Sequence, residues 1–317
     1  MERTKNTAQL VGVLVFLCFF SSMLITNDVA LLTFVPFAVL TLQKCHQERL
    51  MVMVLILQTI AANLGSMLTP IGNPQNLYLY NLSGMKMGEF FLLMLPYTAI
   101  AGVLLLIVIF VLSARKQKIS MDVCALQEKT VNESKKADES KSHRKNTVYL
   151  ILFVLCILVV LRMLPYYLVL ATVLVAVFIM DCEVLAKVDY CLLLTFISFF
   201  IFTGNMGNLP AIRDMLQGLV AGRELGIGIL TSQIISNVPA ALLLSGFTED
   251  YRNLLLGVNI GGLGTLIASM ASLISYKIYA QHYNRTKGIY LLWFTVANLL
   301  FLAILLVAAS GMIYNAG

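Results

Sequence analysis

The sequence predicts an all-α polytopic membrane protein with inverted-topology repeats, each containing a re-entrant hairpin and a discontinuous helix. The first observation is composition, because 59% of the 317 residues are hydrophobic, 12% are charged and the mean hydropathy is +0.87. Soluble domains are about 45–50% apolar and about 25% charged. A soluble enzyme, a disordered chain and a secreted disulfide scaffold are therefore excluded. The other two observations are a series of charge-free runs and an internal repeat.

The first repeat is predicted over residues 1–112. It begins with a hairpin at about 8–42, because a single Asp28 separates two apolar runs. The second of these runs is shorter than the ~20 residues that a spanning helix needs. A broken helix at 50–80 and a span at 90–112 complete this repeat.

The second repeat is predicted over residues 147–317. Asn237 and Pro239 lie in the middle of one of its apolar runs, which is therefore interpreted as two half-helices that meet at a tip. In chain order, its predicted elements are spans at 147–161, 166–180 and 190–204, a hairpin at 225–245, a broken helix at 253–277 and a span at 288–312.

Residues 113–146 form the long hydrophilic stretch of the sequence and are predicted to be a cytoplasmic basic linker. The stretch is rich in serine and lysine, which is typical of solvated chain. The positive-inside bias assigns it to the cytoplasm and the carboxyl terminus to the outside of a multi-pass plasma-membrane protein. A nucleic-acid-binding arm is disfavoured because aromatic residues are not interleaved with the basic ones. The basic residues are Arg115, Lys116, Lys118, Lys129, Lys135, Lys136, Lys141, Arg144 and Lys145.

The two halves of the chain share polar and glycine residues at two constant offsets. Polar identities carry more weight than leucine or isoleucine identities, because polar groups are costly in hydrocarbon. At an offset of 210, Ser22 and Asn27 correspond to Ser232 and Asn237. At an offset of 196, the corresponding pairs are Asn63 and Asn259, Gly65 and Gly261, Thr69 and Thr265, Asn73 and Ser269, and Asn76 and Ser272. Five predicted spans separate the two hairpins, and this odd number predicts that the repeats have opposite orientations.

At these residues the chain resembles the ion transporter superfamily, which includes citrate carriers, arsenite permeases, sodium/proton antiporters and divalent-anion symporters. The resemblance is carried by Thr26-Asn27-Asp28, by the segment GSMLTPIGNPQN at 65–76, by Ser236-Asn237-Val238-Pro239 and by residues 257–269. It implies an inverted pair of repeats, each with scaffold helices, a re-entrant hairpin and a discontinuous helix. It also implies a homodimer that works by an elevator-like motion.

One departure from the family pattern lies at the amino terminus. Three predicted spans precede the hairpin of the second half, whereas the first hairpin begins near residue 8. We therefore expect that the amino-terminal scaffold helices of the family are missing, through truncation, a misassigned start or a reduced variant.

The predicted site lies where the hairpin tips and helix breaks meet. Half-helix amino ends carry a partial positive charge and unpaired N–H donors, which suit an anion. Carbonyls released at the breaks suit a sodium ion, which we expect near Asn27, Asn73, Asn237 and Ser269. The predicted binding residues are Thr26, Asn27, Asp28, Thr69, Asn73, Asn76, Ser236, Asn237, Thr265 and Ser269. The residues predicted to open the backbone are Gly65, Gly72, Gly261, Gly262 and Gly264.

Asp28 is the acid that lies well inside an apolar stretch, and two roles remain open for it. An intramembrane carboxylate relays protons or binds cations in many transporters, whereas an aspartate at a half-helix start also caps N–H groups. Some of the other residues also have a purely structural alternative. The glycines could serve close helix packing, and Ser22 and Ser232 could bond to the backbone of their own helix.

The expected function is secondary active transport of a small anion, such as citrate or another di- or tricarboxylate, coupled to sodium or protons. The alternatives are a cation/proton antiporter or arsenite-type efflux permease that uses Asp28, and an inactive remnant of such a transporter. An enzyme is disfavoured because the sequence contains no HExxH or GxGD motif. The expected partners are the anionic substrate, the lipid bilayer and a second copy of the chain, and no cofactor is expected beyond the sodium ion.

Overall fold

The computed structural model describes residues 7–113, 139–186, 188 and 190–316. The chain is 85% helical, and the residues that the structure describes include no strand. The predicted class, an all-α polytopic membrane protein, is therefore confirmed. Most of the predicted basic linker, residues 114–138, lies outside the described residues.

The chain divides into two compact units, and the larger one combines residues 1–120 with residues 198–317. Its helices are α1 (Thr7–Ser21), α2 (Asn27–Lys44), α3 (Met51–Ser66), α4 (Pro74–Ser83), α5 (Met87–Ser113), α10 (Pro210–Val220), α11 (Glu224–Ile235), α12 (Asn237–Leu244), α13 (Tyr251–Ile260), α14 (Met270–His282) and α15 (Lys287–Ala316). The smaller unit, residues 121–197, contains α6 (Glu139–Val160), α7 (Tyr166–Met180) and α8 (Cys182–Ala186). Helix α9 (Tyr190–Gly207) begins in the smaller unit and ends in the larger one.

Three helical segments are long and apolar enough to cross a membrane, namely Glu48–Ser66, Met87–Val111 and Asn284–Met312. The other apolar helices found in the described ranges have 10–17 residues. Several of them are short because a hairpin tip or a break interrupts the apolar run. The composition and these helices agree with a multi-pass membrane protein.

The breaks follow from local sequence. Pro74 occupies the first turn of α4, where its missing N–H costs nothing, and Asn73 precedes it as the N-cap. Ser236 separates α11 from α12 with a φ of 75°, in the left-handed region that few side chains adopt. Gly264, with a φ of 109°, lies in the loop between α13 and α14.

Each hairpin packs on the first segment of the broken helix in its own half. Helices α1 and α2 contact α3, and helices α11 and α12 contact α13. The second segments cross over, because α14 packs on α2 and α3 whereas α4 packs on α12 and α13. The two halves are therefore joined through exchanged half-helices. Their opposite orientation in the membrane stays a prediction.

Close helix approach explains two of the predicted backbone-opening glycines. A Cβ atom at Gly65 would overlap the carbonyl oxygen of Phe19 and lie 2.6 Å from Ser22 Oγ. A Cβ atom at Gly261 would lie 2.9 Å from both the Cα of Ile229 and the Cβ of Ser232. Both glycines thus let the first helix of a hairpin touch the broken helix of the same half.

We expect that Gly65→Ala destabilises the protein, because α1 and α3 must move apart to admit the methyl group. The cost of such overpacking is about 1–3 kcal/mol in the free energy of unfolding. Thermal unfolding of the purified protein in detergent measures it. The matched control is Gly12→Ala in α1, where an added Cβ meets no atom within 4 Å. Equal unfolding midpoints for the two variants would contradict the close packing.

Candidate functional site

Four half-helices begin at the hairpin tips and breaks of the larger unit. These are α2, α4, α12 and α14, and their N-cap residues are Thr26, Asn73, Ser236 and Ser269. All four N-caps belong to the set that the sequence predicts to bind substrate or ion. The structure brings the starts of these helices together through one hydrogen-bonded cluster.

Asn63 is the centre of this cluster. Its Oδ1 accepts hydrogen bonds from Asn27 Nδ2 at 3.1 Å and from Ser269 Oγ at 3.0 Å. Its Nδ2 donates to the carbonyl oxygen of Gly262 at 3.4 Å. Gly262 in turn lies close to Asn237, whose Nδ2 would be 3.0 Å from a Cβ built on the glycine. One buried amide therefore connects the first hairpin tip to the second break.

Three polar side chains stabilise the first break, which is the segment between α3 and α4, and they are linked to the backbone of Asn63. Asn73 Nδ2 donates to Ser66 Oγ at 2.7 Å, and Ser66 Oγ donates to the carbonyl oxygen of Asn63 at 3.0 Å. Asn76 Nδ2 lies 3.2 Å from the carbonyl oxygens of both Ser66 and Thr69. Asn259 Nδ2 then donates to Asn76 Oδ1 at 2.6 Å, which makes a second buried bond between the halves.

The second break is held by Gln233 of α11. Its Nε2 donates to the carbonyl oxygens of Gly261 at 2.8 Å and Leu263 at 2.9 Å, and its Oε1 accepts from Thr265 N at 2.9 Å. The tip of the second hairpin reaches the same break, because Asn237 N donates to the carbonyl oxygen of Ala268 at 3.0 Å. The start of α12 therefore lies next to the start of α14.

The two halves repeat several contacts at the offsets found in the sequence. Thr69 Oγ1 donates to the carbonyl oxygen of Met23 at 2.6 Å, and Thr265 Oγ1 donates to that of Gln233 at 3.2 Å. Both threonines thus fasten a break to the hairpin of the same half rather than joining the contacts of Asn63.

The tip asparagines repeat a local contact in the same way. Asn27 Oδ1 accepts from Asp28 N at 2.8 Å, and Asn237 Oδ1 accepts from Val238 N at 3.0 Å. Each asparagine oxygen therefore pairs with the second N–H of its own half-helix. The amide nitrogen of Asn27 is left to reach Asn63.

Asp28 is half-buried at the start of α2, and its carboxylate does not make the capping contact. The cap comes from Thr26, whose Oγ1 accepts from Val29 N at 3.4 Å. Asp28 Oδ1 is buried and has no hydrogen-bond partner among the described residues. The geometry therefore leaves this oxygen available for a proton or a cation.

Other buried acceptors near the first break also lack donors within the described part of the chain. They include Asn73 Oδ1, Gln75 Oε1 and Asn259 Oδ1, and the hydroxyl of Ser272 and the amide nitrogen of Gln75 are unpaired as well. Asn73 and Asn259 are both only 2% exposed. Neutral oxygens that are buried without donors are suitable ligands for a hard cation or an ordered water.

An open surface pocket lies apart from this cluster. It has a volume of about 270 Å³ and is lined by Ser83, Gly84, Met85, Glu89, Glu249, Asp250, Tyr251 and Arg252. Arg252 faces Glu89 across it at 3.8 Å, with both side chains largely exposed. Because most of its lining is solvated, the buried polar cluster rather than this pocket is the candidate functional site.

Sequence reasoning omitted Asn63, Ser66, Gln233 and Asn259 from the predicted site. Asn63 and Asn259 carried a signal, because they are identical at the offset of 196. Gln233 carried none, because Met23 stands at its corresponding position. Its hydrogen bonds form only because the loop between α13 and α14 lies against it in the folded protein.

Comparison with known proteins identifies relatives of this chain. The sequence profile of a family described as citrate transporter matches residues 1–248, which include both hairpins and the first broken helix. An uncharacterized transporter of Methanocaldococcus jannaschii is 32% identical over 277 residues, which cover 86% of this chain and 72% of that protein. An inner membrane protein of Escherichia coli is 30% identical over 263 residues, which cover 81% of this chain and 66% of that protein.

We expect that Asn63→Ala destabilises the larger unit, because it removes three buried hydrogen bonds and leaves their partners unpaired. The cost is about 1–3 kcal/mol for each buried group left unsatisfied. Thermal unfolding in detergent measures the effect. The control is Asn81→Ala in α4, where an exposed asparagine bonds only to the carbonyl oxygen of Leu77 in its own helix. If both variants unfold at the same temperature, Asn63 does not connect the halves.

Proposed function

The chain belongs to the citrate transporter family of membrane transporters, and on that premise we propose that it moves a small anion by alternating access, coupled to sodium or protons. The observation that carries the proposal is the meeting of four half-helix starts around Asn63. The first proposed substrates are citrate and other di- or tricarboxylates.

The chemistry of the cluster supports an anion. Each half-helix start contributes a partial positive charge of about half an elementary charge, strongest within the first turn. The side chains that bond one another around Asn63 are neutral amides and hydroxyls, so a carboxylate would meet oriented dipoles there. The nearby acid, Asp28 at the start of α2, would have to be protonated or paired with a cation so as not to repel the anion. Several half-helix starts acting together suit a substrate with two or three carboxylates.

The unpaired acceptors support cation coupling at the same place. Asp28 Oδ1 and Asn73 Oδ1 belong to the first half, and Asn259, whose Nδ2 donates to Asn76 of that half, carries a further unpaired Oδ1. A sodium ion prefers such oxygens, together with carbonyls released at helix breaks. A cation bound beside the half-helix starts would add to their attraction for an anion, which is the basis of coupling.

The exchanged half-helices support movement of the cluster as one body. The bonds from Asn63 to Ser269 and from Asn259 to Asn76 tie the two broken helices together. The hairpin tips join them through the bonds from Asn27 to Asn63 and from Asn237 N to the carbonyl oxygen of Ala268. An elevator-like motion of this body past scaffold helices is proposed, with a homodimer as the assembly. The cytoplasmic position of residues 113–146 and the outside position of the carboxyl terminus remain part of the proposal.

A cation/proton antiporter is the second candidate, and the unpaired Asp28 carboxylate favours it. Asp28→Asn keeps the shape of the side chain and removes its ability to release a proton. Under this alternative the variant loses pH-gradient-driven cation exchange, measured with a pH-sensitive dye in proteoliposomes. The control is Asp214→Asn, the same change at an exposed acid of α10.

We expect that proteoliposomes containing the chain accumulate labelled citrate, or another di- or tricarboxylate, when a sodium or proton gradient is imposed. Asn63→Ala should lower the initial uptake rate by about tenfold or more, the equivalent of at least ~1.4 kcal/mol, whereas Asn81→Ala should not. Uptake of a panel of carboxylates with and without each gradient is the measurement. Absence of accumulation for every carboxylate under both gradients would overturn the proposal.

A further inference from the structure

We propose that the side-chain amide of Gln233 occupies the place at the second helix break that a cation would otherwise have to fill. The break thereby keeps its open backbone without an ion. Occupation of the break by the amide is independent of what the protein transports. Its consequence for coupling, that sodium acts only at the first half, rests on the proposed function.

Both ends of the Gln233 amide bond to the break. A primary amide has two N–H donors, and Nε2 lies 2.8 and 2.9 Å from the carbonyl oxygens of Gly261 and Leu263, with a longer contact of 3.3 Å to that of Ile229 in its own helix. Oε1 accepts from Thr265 N at 2.9 Å, and the backbone oxygen of Gln233 accepts from Thr265 Oγ1 at 3.2 Å. The side chain therefore pairs groups on both sides of the turn between α13 and α14.

The backbone of the break is shaped around this amide. Gly264 has a φ of 109°, and a Cβ there would overlap Gln233 Oε1. A residue with a side chain would thus both strain the turn and displace the amide. Glycine and glutamine at these two positions depend on each other.

In the first half a different residue pairs the carbonyl oxygens at the break. Met23 stands at the position that corresponds to Gln233, and its side chain has no hydrogen to donate. The carbonyl oxygens of Ser66 and Thr69 are instead paired by Asn76, from the helix that follows the break. Ser272 corresponds to Asn76, and its hydroxyl has no partner among the described residues. The amide thus comes from the hairpin in one half and from the broken helix in the other.

Physical chemistry explains why an amide can replace an ion there. Carbonyl oxygens released from a helix in an apolar interior need a donor or a cation. The two N–H groups present positive hydrogens to both carbonyl oxygens, as a sodium ion bound between them would present its charge. The amide remains in place at any salt concentration. A break closed in this way does not respond to sodium, so coupling would fall to unpaired acceptors away from it, among them Asp28 Oδ1, Asn73 Oδ1 and Gln75 Oε1 of the first half.

The test is Gln233→Glu in the full chain, which replaces Nε2 by an oxygen of nearly the same shape. This oxygen would face the carbonyls of Gly261 and Leu263 and would need a cation between them. Unfolding is followed by the fluorescence of Trp293, in sodium chloride and in choline chloride at equal ionic strength and without any anionic substrate. We expect that sodium raises the unfolding midpoint of the variant by about 2–4 °C more than that of the wild type.

Gln281→Glu, the same change at an exposed position of α14, is the matched control and should show the wild-type response to sodium. Gln233→Met, which introduces the residue of the first half, should lower the midpoint in choline chloride and regain part of it in sodium chloride. A sodium response equal to that of the wild type in both Gln233 variants would overturn the proposal. So would failure of both variants to fold in sodium chloride, because a cation would then not replace the amide. If the wild type takes up no carboxylate, the proposed function is contradicted. The sodium response of the Gln233 variants still decides whether the amide replaces a cation.

Discussion

The arrangement depends on one constraint, which is that backbone groups released at a helix break inside an apolar protein must find partners. Water is not available there, and each unpaired carbonyl or N–H costs several kcal/mol in a membrane interior. Three amide side chains meet this need. Asn63 bonds to Gly262, Asn76 pairs the carbonyls of Ser66 and Thr69, and Gln233 pairs those of Gly261 and Leu263. Without them the broken helices would not hold their shape.

The same amides join the two halves into one body. Helices α4 and α14 each leave their own half and pack against the other, so every break has neighbours from both repeats. The bonds between Asn63 and Ser269 and between Asn259 and Asn76 cross this boundary while fully buried. A body held in this way can shift relative to its surroundings without losing the geometry of its polar centre, which is what transport by alternating access requires.

Under the proposed function, the polar centre would attract an anion through oriented dipoles, since the buried side chains that bond one another around Asn63 are neutral. Half-helix starts supply the positive potential, and their N-cap residues, Asn73 and Ser269 among them, are held by hydrogen bonds before any substrate arrives. Preorganised dipoles need no counter-charge and avoid the large desolvation cost of a buried cation. The halves differ in one respect, since Asp28 and the free oxygen of Asn73 lie in the first half whereas the second break is closed by Gln233.

The sequence alone determined the class of the protein, because its apolar fraction and short charge-free runs permit only helices that cross or enter a membrane. It also predicted hairpin tips and breaks, since Asn27, Asn73 with Pro74, and Asn237 are expensive inside an uninterrupted apolar helix, and α2, α4 and α12 begin at Asn27, Pro74 and Asn237. Tertiary structure decided which of these residues bond to one another. Asn63 reaches Ser269, Asn259 reaches Asn76 and Gln233 reaches Leu263 across 206, 183 and 30 residues of sequence. Periodicity and propensity describe neighbours along one helix, and they contain no information about which distant carbonyl an amide will face after the half-helices exchange partners.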